Sequence, residues 1–230
     1  DGAQFEYHKN QFVFGATGGF RPDYQTYGLN TSLLQYGAYA GYNYKAEKHG
    51  SMNSSIALFN QTSDQNTYRR FAYIQHSNSL LRNMDFFGSA ELDFFAYENQ
   101  LPVNRFHLTS LYLSLRYKPF RNLYFSTIYD NRSNVYFYET FKNYVDSLLD
   151  KETRQGFKFM VNYRPFNKLT FNGSAGYRTP TSLTGSSYNA NGYLTYSELP
   201  WIGAGATLEA TYLKTNYING WVYGGSLNKD

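Results

Sequence analysis

Apolar and polar residues alternate along this chain with a period of two, and short polar runs interrupt the alternation at regular intervals. In 35–45, Tyr36, Ala38, Ala40, Tyr42 and Tyr44 share one parity against Gln35, Gly37, Tyr39, Gly41, Asn43 and Lys45. In 84–97, Met84, Phe86, Gly88, Ala90, Leu92 and Phe94 oppose Asp85, Ser89, Glu91 and Asp93. The same test predicts strands over 10–20, 51–61, 67–77, 107–117, 123–131, 156–164, 169–178, 187–197, 203–214 and 220–227, twelve in all. Phe71 and Tyr73 contest the apolar face of 67–77 with Ala72 and Ile74. In 156–164 the apolar set is Phe157, Phe159, Val161 and Tyr163, against Lys158, Met160, Asn162 and Arg164. In 203–214, Ala204 to Tyr212 face Thr207, Glu209 and Thr211, and Lys214 is placed with the latter.

One phrase occurs twice. Tyr117-Lys118-Pro119-Phe120-Arg121-Asn122-Leu123 returns as Tyr163-Arg164-Pro165-Phe166-Asn167-Lys168-Leu169. Proline fixes φ and lacks a ladder donor, so each copy predicts a strand end and a tight turn. A third turn of this kind falls at 198–202. If the strands are antiparallel, connections alternate between two rims. One rim receives the short segments 46–50, 78–83, 118–122, 165–168 and 198–202; the other receives 21–34, 62–66, 98–106, 132–155, 179–186 and 215–219. Short turns on one side and long loops on the other are the asymmetry of outer-membrane β-barrels.

Composition sharpens this. Aromatics make up 20% of the chain, with 25 Tyr and 19 Phe, yet mean hydropathy is negative. A barrel with lipid outside and water or polar side chains inside needs that mixture. No stretch approaches the roughly 18 apolar residues of a membrane helix. There is no Cys, which excludes disulfides and thiolate metal sites. The net charge of +4 is spread along the chain, which excludes a basic nucleic-acid face. The chain opens at Asp1 with no secretory leader, as expected of a processed, exported protein. The fold expected is a single all-β domain over 1–230, a twelve-stranded antiparallel transmembrane barrel in a bacterial outer membrane.

The Tyr-Lys/Arg-Pro-Phe-x-x-Leu hairpins, the Tyr-rich strands and the passage Tyr129-Asp130-Asn131-Arg132 through Tyr138-Glu139-Thr140 to Glu152-Thr153-Arg154-Gln155-Gly156 resemble outer-membrane barrels of the Bacteroidota type. The resemblance implies a transporter or a secretion or assembly accessory. The chain is shorter than a TonB-dependent transporter and has no plug. A piece of a larger barrel is the alternative. The resemblance names no activity and no cofactor.

Candidate chemistry is sparse. Asp85, Glu91, Asp93, Arg116, Lys45, Lys158, Arg178 and Glu209 fall on the polar parity and read as lumen charge that sets selectivity. Glu91 and Asp93, two apart on one face, are expected to pair with Arg116, Lys45 or Arg178. Tyr117, Phe120, Tyr163, Phe166, Tyr196 and Trp201 read as interface anchors against outer-membrane lipid and lipopolysaccharide. Phe141, Tyr144, Val145, Leu148 and Leu149 have helical spacing and predict a short amphipathic helix in loop 132–155, a gate or a docking segment for another envelope protein. Glu98 and His107 bracket the predicted loop 98–106; an acid-oriented His there is the weak candidate for a rim hydrolase or acyltransferase. The His residues are scattered singly, so no metal site is expected. The function expected is a narrow solute channel or an accessory subunit of an envelope complex. The rim enzyme is the alternative.

Overall fold

The computed structural model describes residues 2–22, 28–64, 66–98, 101–132, 154–180, 185–200 and 202–229. Among these, all regular structure is β. Thirteen strands lie in sequence order in one sheet, each hydrogen-bonded to the next. They are β1 Gly2–Lys9, β2 Phe12–Pro22, β3 Leu29–Lys45, β4 Ser51–Ser63, β5 Asn66–Asn78, β6 Met84–Glu98 and β7 Leu101–Phe120, followed by β8 Leu123–Arg132, β9 Arg154–Phe166, β10 Leu169–Pro180, β11 Ser187–Tyr196, β12 Gly205–Lys214 and β13 Asn219–Asn228. β1 and β13 are the two ends of this order, and each has one neighbour. The all-β antiparallel expectation is met. The twelve-strand count is corrected: β1 precedes the first expected strand, its Phe5 and Tyr7 alternating with Gln4, Glu6 and His8.

The chain divides into two compact units. The first holds β1 to β5, nearly all of β6 and β7 as far as Tyr112. In it, alternation sorts the faces cleanly. Phe14, Ala40, Ile56, Ile74 and Ala90 lie level across β2 to β6 on one face. Gly15, Tyr39, Ala57, Tyr73 and Glu91 lie level on the other. The contest in β5 is thereby resolved: Ala72 and Ile74 belong to the apolar row, while Phe71 and Tyr73 turn to the polar face. Two aromatic rings there lie flat across their direct partners. Tyr39 covers Gly15 and Phe59 covers Gly37, and a Cβ at either glycine would fall against the ring. The hairpins β1–β2, β4–β5 and β5–β6 turn through Asn10, Asp64 and Asn83, at φ of 55°, 48° and 64°, residues that tolerate the left-handed region.

The second unit holds the end of β7 with β8 to β13, plus the short segment Asn83–Asp85. Here the repeated phrase behaves differently from its reading as a strand end. β7 runs through Pro119 to Phe120 and β9 through Pro165 to Phe166, each closed by a two-residue turn, 121–122 and 167–168. The missing proline donor at 165 is absorbed by an irregularity: Leu169 pairs with Phe166 and Phe171 with Tyr163, leaving Arg164 and Pro165 opposite Thr170. Lys214 is also corrected. It lies level with Tyr188, and its Nζ stands 5.9 Å from that ring, on the aromatic face.

The expected difference in loop length holds at two places in the second unit, where 133–153 and 181–186 contrast with the two-residue turns 121–122 and 167–168, and reverses at its end, where 197–204 is longer than 215–218. It does not hold in the first. β4 and β5 extend until only Asp64 and Gln65 separate them, and β6 and β7 until only 99–100 remain, because alternation weakens near strand ends while backbone pairing continues.

Both units bury few apolar residues among those described. The buried apolar residues among those described are Leu33, Ala57, Tyr68, Phe71, Ala72 and Ala204. Against these stand thirty-four exposed large apolar residues, including Phe14, Ile56 and Leu58 in the first unit and Phe157, Phe171 and Leu208 in the second. Apolar exposure on this scale marks a surface meant to be covered.

Candidate functional site

The polar face of the first unit is closed by its own side chains. Arg69 on β5 is 5% exposed. Its Nη2 lies 2.7 Å and its Nε 3.1 Å from Asp93 Oδ1, and Nη2 also meets Glu91 Oε1. The guanidinium rests 4.2 Å from the centre of the Phe71 ring. This satisfies the ion in two ways, by paired oxygens and by a π face, which a buried charge requires. Gln61, directly across from Arg69, donates to Gln35 at 2.8 Å and continues the polar row. Nearer β1, the Tyr39 hydroxyl donates to Glu6 and accepts from Gln4 at 2.7 Å.

Glu91 and Asp93 are therefore paired, as expected, but by Arg69 rather than by Arg116, Lys45 or Arg178. Arg69 was hidden because Arg69 and Arg70 are adjacent and face opposite ways, and the contested parity of β5 did not say which turned inward. The signal that would have found it is hairpin arithmetic. A turn centred near residue 81 brings position 69 across from the region of 93–96, and the structure pairs Arg69 with Ala96 after an irregularity beside Asp93.

The polar face of the second unit is open. β8 is fixed against β9 by the Gln155–Tyr129 hydrogen bond and the Phe125–Phe159 ring contact. A recess of about 500 Å³ lies over β8 to β11, lined by Tyr124, Lys158, Met160, Asn162, Asn172 and Tyr193 among others. Its amides are held in place: Asn162 donates to Asn172, Ser174 donates to Asn191, and Asn191 lies 3.4 Å from the Tyr193 hydroxyl. Tyr124 was missed, because the strand over 123–131 was assigned without sorting its faces.

The remaining candidates distribute as follows. Lys45, Asp85, Arg116, Lys158 and Arg178 are exposed; Glu209 is half-buried and accepts from Thr211 at 3.3 Å. Tyr117, Phe120, Tyr163 and Phe166 are exposed near the two-residue turns, and Tyr196 is half-buried at the end of β11. Trp201, and Phe141, Tyr144, Val145, Leu148 and Leu149, lie outside the described residues, as does the Glu98 side chain. His107 stands six residues into β7 rather than at a loop end, so the hairpin does not present it beside Glu98 at the rim. Among the described residues no three of His, Asp and Glu converge as metal ligands would. At the turns of the second unit, Lys168 Nζ and Glu198 Oε2 are 2.7 Å apart. That pair raises the Lys168 pKa and lowers that of Glu198, the direct hydrogen bond being the main cause in each case.

Family models, curated proteins and solved structures yield no match to this chain, so its reading rests on the geometry above.

Proposed function

We propose that the chain forms the wall of a transmembrane β-barrel in a bacterial outer membrane and acts as a narrow channel for small solutes. The observation that supports this best is the pairing of an exposed aromatic and aliphatic face with a polar face in both units. Leu208 is 62% exposed and Ile56 49%, each centred in its strand, and the opposite faces carry Arg69, Glu91, Asp93, Lys158 and Glu209. Strands of ten or more residues suit the hydrocarbon thickness, and aromatic clusters such as Trp221 with Tyr212 and Tyr223 suit its interface.

Planar-bilayer conductance of the purified, folded chain tests the reading. Discrete steps whose ion selectivity changes on Lys158→Glu are expected. A folded chain that partitions into lipid but never conducts would leave a barrel without a channel and favour an accessory role in an envelope complex. A chain that remains monomeric in water without detergent or lipid would sink the membrane reading altogether.

A further inference from the structure

The recess of the second unit is built unlike the rest of the polar surface, and its chemistry narrows what it can hold. Its volume of about 500 Å³ falls within the roughly 300–1,000 Å³ of small-molecule sites. Register places it mid-strand: Asn162 faces Asn172, Asn172 faces Tyr193, Met160 faces Ser174 and Ser174 faces Asn191. Four sequential strands thus present amide, hydroxyl and phenol groups on one surface.

Three features select the ligand. First, Asn, Ser and Tyr both donate and accept, which is what a ligand carrying several hydroxyl groups needs. The Asn162–Asn172 and Ser174–Asn191 hydrogen bonds pre-orient these groups and leave further donors and acceptors free. Second, Tyr124, Tyr193 and Met160 give the recess apolar surface against which a pyranose ring face can lie. Third, Lys158 is the one cation of the lining, and no carboxylate lies within ion-pair distance of its Nζ among the described residues. The nearest polar-face acid on the other flank, Glu209, is three strands away, roughly 14 Å by strand spacing alone. A site for a phosphate or a multiply charged anion would gather several cations; this one offers a single positive charge amid neutral hydrogen-bonding groups.

We infer that this recess is a binding subsite for a monoanionic sugar, a hexuronate-type carboxylated pyranose. Lys158 holds the carboxylate, the Asn162, Asn172 and Asn191 amides read the hydroxyls, and Tyr124 and Tyr193 flank the ring. This rests on the polar face being the solvated one, and it gives the proposed channel a substrate class.

Calorimetric titration of the folded full chain in detergent micelles tests it, with sodium glucuronate, glucose and sodium acetate as probes. Glucuronate is expected to bind saturably, at least tenfold tighter than glucose or acetate. Lys158→Met should abolish that preference while leaving the residual sugar affinity, and Asn172→Asp should weaken glucuronate at least tenfold by placing a like charge in the recess. Heat-modifiable gel mobility confirms that each variant is folded. No saturable glucuronate binding by the folded wild type overturns the inference, as does equal affinity for acetate or an unchanged Lys158→Met. Binding is read without a membrane, so the two readings fail separately. Binding without conductance removes the channel and keeps the subsite; conductance without binding does the reverse.

Discussion

Replacing Arg69 with alanine leaves Asp93 and Glu91 facing each other on the polar side of β6 with no cation between them. The Asp93 side chain is 10% exposed and that of Glu91 22%, so one carboxylate is almost fully desolvated and the other partly so. Removing one partner of a buried ion pair costs about 3–5 kcal/mol, and the partial exposure of Glu91 places this case near the lower end. Loss of the contact with Phe71 contributes roughly 0.5–2 kcal/mol of that. Arg69→Ala is therefore expected to cost about 3 kcal/mol. The triple replacement Arg69→Met, Glu91→Gln, Asp93→Asn keeps the volume and the Phe71 packing without any charge, and is expected to lie within about 1 kcal/mol of wild type. Urea titration of the protein refolded in micelles, followed by tryptophan fluorescence, measures both at constant slope. If Arg69→Ala unfolds within about 0.5 kcal/mol of wild type, or if the triple variant falls as far as the single one, desolvated charge is not what this cluster manages.

Three further outcomes are expected. Leu208→Arg and Ile56→Arg, on the exposed apolar faces of the two units, should each cost about 2–4 kcal/mol for unfolding from lipid vesicles if those faces meet hydrocarbon; changes within about 0.5 kcal/mol would mean they meet water. Gly37→Ala should destabilise by about 1–3 kcal/mol, because the new methyl would meet the Leu58 carbonyl and the Phe59 ring, and Phe59→Ala in the same chain should recover part of the loss. The Lys168–Glu198 pair sets a pH window. Its Glu198 contribution is fully present above the ordinary value of 4.5 and is lost as pH falls through the lowered one; its Lys168 contribution is fully present below 10.5 and is lost as pH rises through the raised one. The stability difference between wild type and Lys168→Met should therefore be greatest between those limits and shrink at both extremes. A difference that does not vary with pH would show that the pair does not form.

Period-two alternation made the sheet of this protein readable. Where one face is apolar and the other polar over eight or more residues, as over 35–45 in β3 and in β6 and β9, the expected faces match the structure, although β3 begins at Leu29, inside the expected loop 21–34. Legibility failed for three physical reasons. β1 is short and exposed along its whole length, and only Phe5 and Tyr7 mark its apolar parity among Gln4, Glu6, His8 and Lys9. The prolines at 119 and 165 read as stops, yet a bulge lets an antiparallel strand continue past a missing donor at 165, and β7 continues past 119. In the candidate sites, parity placed Glu91, Asp93 and Lys158 on the polar face, but the partner of the first two lay behind an irregular register in β5 and β6. Which polar residues gather into a recess depends on strand offset, and offset is not written in alternation.

The rings laid over glycines bear on that same point. A slip of one residue turns a strand inside out and is excluded by alternation, but a slip of two keeps every residue on its proper face. Only side-chain shape can forbid it. At Tyr39 such a slip would replace Gly15 by Val13 or Thr17, and a branched side chain would occupy the place of the ring; the pairing of Phe59 with Gly37 imposes the same condition one strand further on. Asn189 over Gly176 does so between β10 and β11, at the border of the recess that holds Lys158. These glycines act as alignment keys, and through them small residues with no chemistry of their own determine which charges come to stand together.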